Sequence, residues 1–352
     1  MPADSNSLYT KQHSSLEDFW GRRENGPRFA REFRLFGRPA RMTANDERVL
    51  AALDHVLPLY SVAPQSSHAP YSIHLIVRET YRDVGPLPDN LSEHLRYTGH
   101  GDWLDIQLGA WGHCHVDLRA GRALAVLAPA LAARPDLVSH HLLNTIFTNL
   151  LQQSGFGMMH CTGLLRGDHA LLLMAPHNSG KSTTALRLVL AGYSLLSDSQ
   201  VYVAPDGGPL TLLGFPVGRI KLRRDVVPEF PELQPLLAAE MVRGETKFSV
   251  DIRRLNPALV CEEAIRPAKI TLCLLTRSEK ESSALTPATR EEVMDAIMQN
   301  SIFYDTATAW ARNLAPIERC VARARWHHLS VGRDPAGIVE SMQSLSRNRI
   351  HR

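Results

Sequence analysis

The feature that most constrains this chain is the segment Ala175 to Thr183, with the sequence Ala-Pro-His-Asn-Ser-Gly-Lys-Ser-Thr. The residues before it, His169 to Met174, form a continuous apolar run typical of a strand that is buried on both faces. The residues after it, Thr183 to Ala191, repeat apolar side chains as a packed helix does. The sequence therefore predicts a buried strand, a loop of small residues and a helix, in that order.

This loop matches the template G-x-x-x-x-G-K-[ST] except at its first position, where Ala175 replaces glycine. In such a loop the backbone N–H groups and the positive end of the helix hold an anion. Lys181 is expected to bridge the terminal phosphates of a nucleoside triphosphate, and Ser182 to bind Mg²⁺. The predicted nucleotide contacts are Pro176, His177, Asn178, Ser179, Gly180, Lys181, Ser182 and Thr183.

Phosphoryl transfer also needs a carboxylate near the metal and a base that deprotonates the acceptor. Asp198 lies 17 residues after Lys181, at the predicted end of the strand that follows the loop's helix. His160 lies in a segment predicted to pair with the strand that enters the loop, where it could hydrogen-bond to Asp198. We therefore predict a catalytic set of Asp198, His160 and Lys181. A surface aspartate and a packed histidine are the alternatives.

Two basic residues further along the chain are candidates for contact with the transferred phosphoryl group. Arg243 and Lys247 belong to the sequence Arg-Gly-Glu-Thr-Lys, which is predicted to form a loop near the active edge of the sheet. A solvated loop is the alternative interpretation for either residue.

Composition narrows the class of protein. The net charge of +3 is dispersed along 352 residues, which argues against a dedicated nucleic-acid binder. Five scattered cysteines favour a reducing compartment over a disulfide framework. The polar N-terminal stretch does not resemble a signal peptide, and no apolar run reaches the ~18 residues that span a bilayer. A cytoplasmic protein that engages neither membrane nor nucleic acid is expected.

The chain divides into three predicted regions. Residues 1–41 lack sustained periodicity and are expected to form a flexible arm. Residues 42–135 predict a small α+β domain with antiparallel strands, and residues 136–352 predict the nucleotide-binding domain, beginning with a long helix from Asp136 to Gln152. The fold class is therefore α/β (α+β), with a mixed sheet.

Residues 143–203 resemble HPr kinase/phosphorylase and its related P-loop serine kinases, which are distant structural relatives of ATP-dependent phosphoenolpyruvate carboxykinase. The resemblance lies in the order of four segments: 152–160 with its histidine, the loop 175–183, the helix-ending glycine in 191–193, and 195–199 with its aspartate. It implies a mixed-sheet P-loop kinase domain, with Asp198 as catalytic base and metal-associated carboxylate, His160 as its partner, and Lys181 and Ser182 as phosphate and Mg²⁺ contacts. Ser199 stands where the family usually has a second aspartate.

The resulting hypothesis is an ATP-dependent serine kinase that uses Mg²⁺ and acts on a protein or peptide, with residues 42–135 recognising that substrate. A kinase of the same fold that acts on a small metabolite remains open. So does a nucleotide-binding regulatory protein with an impaired kinase site, which Ser199 and Ala175 would favour. The sequence is also compatible with a homo-oligomer.

Overall fold

The computed structural model describes residues 28–56, 71–78, 84–176, 179–205, 208–242, 245–301 and 307–347. Contacts between residues divide the chain into two compact units. The first unit comprises residues 1–55 and 59–146, and the second comprises residues 56–58 and 147–352. Each unit is a mixture of helices and mixed parallel and antiparallel sheet, so the chain is of the α/β (α+β) class.

The first unit contains a seven-stranded sheet in the order β1-β2-β3-β7-β6-β5-β4. Strand β3 pairs in parallel with β2 and β7, and the remaining pairs are antiparallel. Ile73 and Leu75 on β3 are fully buried, as alternation in a half-buried strand requires. The strands are β1 (Phe29–Leu35), β2 (Arg38–Ala44), β3 (Tyr71–Val77), β4 (Leu95–His100), β5 (Trp103–Leu108), β6 (Gly112–Asp117) and β7 (Arg122–Leu127).

The expectation of a flexible arm is wrong for residues 28–41, because β1 and the start of β2 lie there. Phe33 and Leu35 are each 1% exposed and alternate with solvated charged residues, so one face of β1 enters the core. Arg31, Glu32 and Arg34 conceal this alternation when the segment is judged by composition. Residues 1–27, the rest of the predicted arm, lie outside the described residues.

The second unit contains a six-stranded sheet, β11-β9-β10-β17-β19-β18, and two three-stranded sheets, β13-β12-β8 and β14-β16-β15. Its strands are β8 (Gly157–Met159), β9 (Thr162–Arg166), β10 (His169–Met174), β11 (Ser194–Ser197), β12 (Val201–Val203), β13 (Leu212–Gly214), β14 (Arg219–Arg223), β15 (Leu237–Val242), β16 (Glu245–Asp251), β17 (Lys269–Arg277), β18 (Ala284–Pro287) and β19 (Arg325–Val331).

Eight α-helices occur in the described part of the chain. They are α1 (Pro129–Ala132), α2 (Pro135–Leu137), α3 (Asn144–Gln153), α4 (Lys181–Leu190), α5 (Ile252–Leu255), α6 (Arg290–Asn300), α7 (Ala307–Arg323) and α8 (Pro335–Arg347). Short 3₁₀ segments occupy Glu47–His55, Leu91–His94, Gly109–Trp111, Val227–Glu229, Pro231–Leu236 and Pro257–Leu259. No helix within the described ranges combines the length and apolarity needed to cross a bilayer.

The predicted strand before the loop is confirmed as β10, whose six residues are all buried. Leu171 and Leu173 pack into one apolar cluster with α4 and α8, whereas Ala170 and Leu172 pack into a second cluster with α6 and α7. The sheet therefore has a core on each face, which accounts for the continuous apolar run of β10.

Two predicted elements differ in the structure. The helix expected from Asp136 to Gln152 is not uniform, because a π-helical stretch, Val138–Leu143, separates α2 from α3. The single strand expected to carry His160 is divided into β8 and β9, which belong to different sheets. His160 and Cys161 connect them, and the N–H of Cys161 donates to the carbonyl of Met159 rather than to a neighbouring strand.

Candidate functional site

Three chain segments meet at one edge of the six-stranded sheet. Strand β9 runs antiparallel to both β10 and β11, and β17 runs parallel to β10. Strands β10, β11 and β17 therefore point the same way, and their carboxyl ends lie at the same edge. The loop follows β10, Asp198 follows β11, and Arg277 ends β17. Such an edge is where α/β proteins commonly bind ligands.

The loop turns sharply into α4 at Gly180. This glycine has φ +94°, a left-handed conformation that strains any residue with a side chain. Lys181 and Ser182 form the first turn of α4, so their backbone N–H groups are among those a helix leaves without an intrahelical acceptor. The ammonium group of Lys181 donates to the carbonyl of Ala175 at 2.9 Å, which connects the end of the loop to its beginning.

Asp198 is 7% exposed and receives several hydrogen bonds. The Thr162 hydroxyl lies 3.0 Å from Asp198 Oδ1 and 3.1 Å from the Asp198 carbonyl oxygen. The backbone N–H of Lys221 donates to Oδ2 at 3.3 Å. The side chain of Ser182 also hydrogen-bonds to the carboxylate. Asp198 is thus held between Thr162, the first residue of β9, and Ser182 in the first turn of α4.

Burial raises the pKa of Asp198 from 3.8 to about 6. The hydrogen bonds from Ser182, Thr162 and Lys221, and the positive charge of Lys181, act in the opposite direction and lower it. The carboxylate is therefore ionised at neutral pH, but it is more basic than an exposed aspartate. A pKa close to the working pH is the property that suits a general base.

Burial also lowers the pKa of Lys181, because the charged ammonium loses contact with water. Asp198 and the Cys161 thiol counter that effect and raise it. Lys181 and Asp198 thus influence each other electrostatically across the site. A cation and a carboxylate therefore lie close together where the loop enters α4. Such a pair could stabilise the negative charge of a phosphoryl group and accept a proton.

The residues present fit a magnesium ion that arrives with a nucleotide. Ser182 and Asp198, the two predicted metal ligands, supply hard oxygen atoms and are hydrogen-bonded to each other. Within the described ranges, no group of three or more His, Cys, Asp or Glu side chains could hold a metal ion. Mg²⁺ commonly needs only one or two carboxylates when phosphate oxygens and water complete its coordination.

The other predicted contacts are distributed unevenly. Pro176 is exposed, and Ser179 and Thr183 are half-buried within the loop and first turn of α4. Lys247 is half-buried on β16, a strand rather than a loop, where it pairs with Arg223 of β14. His177, Asn178 and Arg243 lie outside the described residues.

His160 is half-buried between β8 and β9, and its backbone N–H donates to the hydroxyl of Ser301 at 3.3 Å. The groups found to shift the pKa of Asp198 are Ser182, Thr162, Lys221 and Lys181. The role of His160 as partner of Asp198 stays a prediction.

Sequence reasoning missed two side chains at this edge. Thr162 begins β9, and its only sequence signal is a hydroxyl before the apolar residues Gly163, Leu164 and Leu165. Arg277 ends β17, and a Cβ atom added to Gly180 would lie 3.4 Å from its Nε. The cation at the end of the apolar run from Ile270 to Leu275 was visible in the sequence, but the parallel pairing of β17 with β10 was not.

Comparison with known proteins adds little. No family model matches the chain, and no curated protein matches it. Among solved structures, the chain is similar to the Hpr(Ser) kinase/phosphatase from Coxiella burnetii, with a TM-score of 0.28 and 11% sequence identity. The match covers 54% of this chain and 94% of that one. At this TM-score the likeness supports no conclusion about activity.

Proposed function

We propose that this chain is an ATP-dependent phosphotransferase of the HPr kinase-like type, which transfers the γ-phosphate of ATP to a hydroxyl group. The observation that carries the proposal is the buried Asp198 carboxylate, with its pKa of about 6, held beside the first turn of α4 at the end of the loop. Burial destabilises the charged form of this carboxylate and so raises its pKa. Carboxylates with strongly shifted pKa values are concentrated at functional sites, which supports a catalytic role for Asp198.

In the proposed reaction Asp198 accepts the proton of the acceptor hydroxyl as its oxygen attacks the γ-phosphorus. The bond between the γ-phosphorus and the bridging oxygen breaks, and ADP leaves. Lys181 and the backbone N–H groups at the start of α4 hold the phosphates. Ser182 would supply a ligand oxygen to Mg²⁺. Mg²⁺, when bound with the nucleotide, would neutralise phosphate charge.

The proposal extends to the acceptor and to the remaining predicted residues. A serine of a protein or peptide is the proposed acceptor, and the predicted region of residues 42–135 is proposed to select it, because the loop itself has no means of recognising a peptide. His160 is proposed to hydrogen-bond to Asp198, and Arg243 and Lys247 to contact the transferred group. All five cysteines are free, which fits the proposed cytoplasmic location.

The decisive experiment incubates the protein with γ-labelled ATP and Mg²⁺, together with libraries of Ser/Thr peptides and of metabolites that carry hydroxyl groups. Transfer to a peptide would support the serine-kinase hypothesis, and transfer to a metabolite would favour the small-molecule alternative. Tight nucleotide binding without transfer or hydrolysis would favour a regulatory protein. Absence of nucleotide binding would overturn the proposal.

Variants then test the assigned roles. We expect Asp198→Asn to lower the transfer rate by a factor of about 10² to 10⁴ while ATP still binds, because the proton acceptor is lost. Lys181→Ala should weaken ATP binding itself. Asp168→Asn and Lys269→Ala are matched controls, because both residues are exposed at the opposite end of β10 and β17. Normal transfer by Asp198→Asn would show that Asp198 is not the base.

A further inference from the structure

Arg277 is the last residue of β17, at the edge where the loop begins. In the parallel register, Leu274 pairs with Met174, the final residue of β10. Arg277 therefore extends three residues beyond the end of β10, into the region that the loop occupies. On the other neighbouring strand, Arg277 pairs with Val331, the uncharged last residue of β19.

The guanidinium of Arg277 lies against the glycine that precedes Lys181. A Cβ atom built on Gly180 would be 3.4 Å from Arg277 Nε and 3.6 Å from Nη2. The side chain thus approaches the loop from the β17 side, whereas the ammonium of Lys181 turns back toward Ala175. Two cations therefore flank the same short stretch of backbone.

Among the residues that the structure describes, no acidic side chain explains the position of Arg277. It is exposed, and no ion pair joins it to a carboxylate in the described ranges of the chain. Other arginines of the second unit do have acidic partners: Arg253 pairs with Asp251, and Arg333 pairs with Glu279. A cation held against a phosphate-binding loop without a carboxylate is available for an anionic ligand.

We infer that Arg277 binds phosphate oxygens of the nucleotide, as a second cation beside Lys181. This inference rests on the proposed nucleotide-binding function and adds to it a contact that the loop motif does not contain. The planar guanidinium can give two parallel hydrogen bonds to one phosphate, whereas an ammonium acts as a point charge. The guanidinium lies so close to the backbone of residue 180 that a Cβ atom added to Gly180 would be in van der Waals contact with it.

The test measures the dissociation constant of ATP·Mg²⁺ for the full chain and for Arg277→Gln, Arg277→Lys and Arg325→Gln. We expect Arg277→Gln to weaken binding about tenfold, as loss of a charge-assisted hydrogen bond does. Arg277→Lys should recover part of the loss. Arg325→Gln should bind as the unaltered chain does, because Arg325 begins β19 at the opposite edge of the same sheet. Binding by Arg277→Gln within twofold of the unaltered chain would overturn the inference.

A measurement on the unaltered chain keeps the inference testable even if a variant folds poorly. Phenylglyoxal modifies exposed arginines, and mass spectrometry can follow Arg277 and Arg325 in the same sample. ATP·Mg²⁺ should protect Arg277 severalfold and leave Arg325 unchanged. Equal modification of Arg277 with and without nucleotide would contradict the inference.

Lys181→Ala separates this inference from the proposed function. If the unaltered chain binds ATP, Lys181→Ala loses binding and Arg277→Gln does not, only the role of Arg277 is wrong. If the unaltered chain does not bind ATP, the proposed function fails and the role of Arg277 fails with it.

Discussion

At the scale of single residues, the environment of Asp198 combines opposing effects. Burial disfavours its charge, whereas the donors Thr162, Ser182 and Lys221 favour it. The balance leaves the pKa at about 6, well above 3.8. The carboxylate is thus destabilised in the folded chain at neutral pH, which makes it a better proton acceptor.

This balance predicts how stability depends on pH. Because the folded pKa of Asp198 is raised above the unfolded value, the protonated form is favoured by folding, and that contribution is complete below about pH 4 and lost as pH rises through about 6. A rise from 3.8 to about 6 corresponds to about 3 kcal/mol. Urea unfolding from pH 4 to pH 7 should therefore show the unaltered chain losing about 2 kcal/mol relative to Asp198→Asn, because the unfolded aspartate is already partly ionised at pH 4. A constant difference between the two would contradict the raised pKa.

Thr162 gives a second prediction at this scale. Its hydroxyl lowers the pKa of Asp198, so Thr162→Val should raise that pKa further at almost unchanged side-chain volume. If Asp198 is the base, activity requires its ionised form, and the midpoint of the rate's rise with pH should move from about 6 to a higher pH. A pH profile of kcat/KM, which reports the pKa of the free enzyme, measures this shift.

Thr162→Ser is the matched control, since it keeps the hydroxyl and should keep the midpoint. A lower kcat/KM in Thr162→Val with an unmoved midpoint would mean that Thr162 acts through packing alone.

At the scale of elements, sequence patterns predicted those strands and helices that depend on residues close together in the sequence. The apolar run of β10 and the helical spacing of α4 are confirmed by the structure. The break at His160 and Cys161 was not predictable in this way, because β8 pairs with β12, a strand more than forty residues later. The adjacent apolar residues Met158 and Met159 are compatible with either sheet. The position of Asp198 followed from the order strand, loop, helix and strand along the chain, but the hydrogen bond from Thr162 depends on the β9–β11 pairing.

The turn from loop to helix gives a prediction at this scale. Gly180→Ala places a side chain at φ +94° and against Arg277, so it should lower the free energy of unfolding by about 1–3 kcal/mol and weaken ATP binding. Gly167→Ala is the matched control. It has φ +61° in the β9–β10 turn with no atom within 4 Å of the added Cβ, so it carries a similar backbone cost without reaching the loop. Unfolding curves and ATP titrations measure both effects, and equal ATP affinity in the two variants would contradict the assigned role of Gly180.

At the scale of the whole molecule, strand order was the least predictable property. The antiparallel pairs of β5, β6 and β7 join neighbours in the sequence, and a small antiparallel sheet was predicted there. The parallel pairs β2–β3 and β3–β7 join distant segments, and alternation of apolar residues carries no information about such partners. The predicted domain boundary between residues 135 and 136 remains a proposal. The boundary in sequence between the two compact units falls within α3, between Ile146 and Phe147.

Each unit has a buried core of its own, from which we predict two unfolding transitions in calorimetry. Ile73→Ala, at a fully buried position of the first unit, should destabilise one transition by about 2–5 kcal/mol, and Ile317→Ala in the second unit should destabilise the other. Asp198 and the described residues of the loop belong to the second unit, so ATP·Mg²⁺ at 100 times its dissociation constant should stabilise only the transition sensitive to Ile317→Ala, by about 2.7 kcal/mol. A nucleotide shift of the Ile73-sensitive transition instead would place the binding site in the first unit. A single transition moved by both variants would show that the two cores unfold as one.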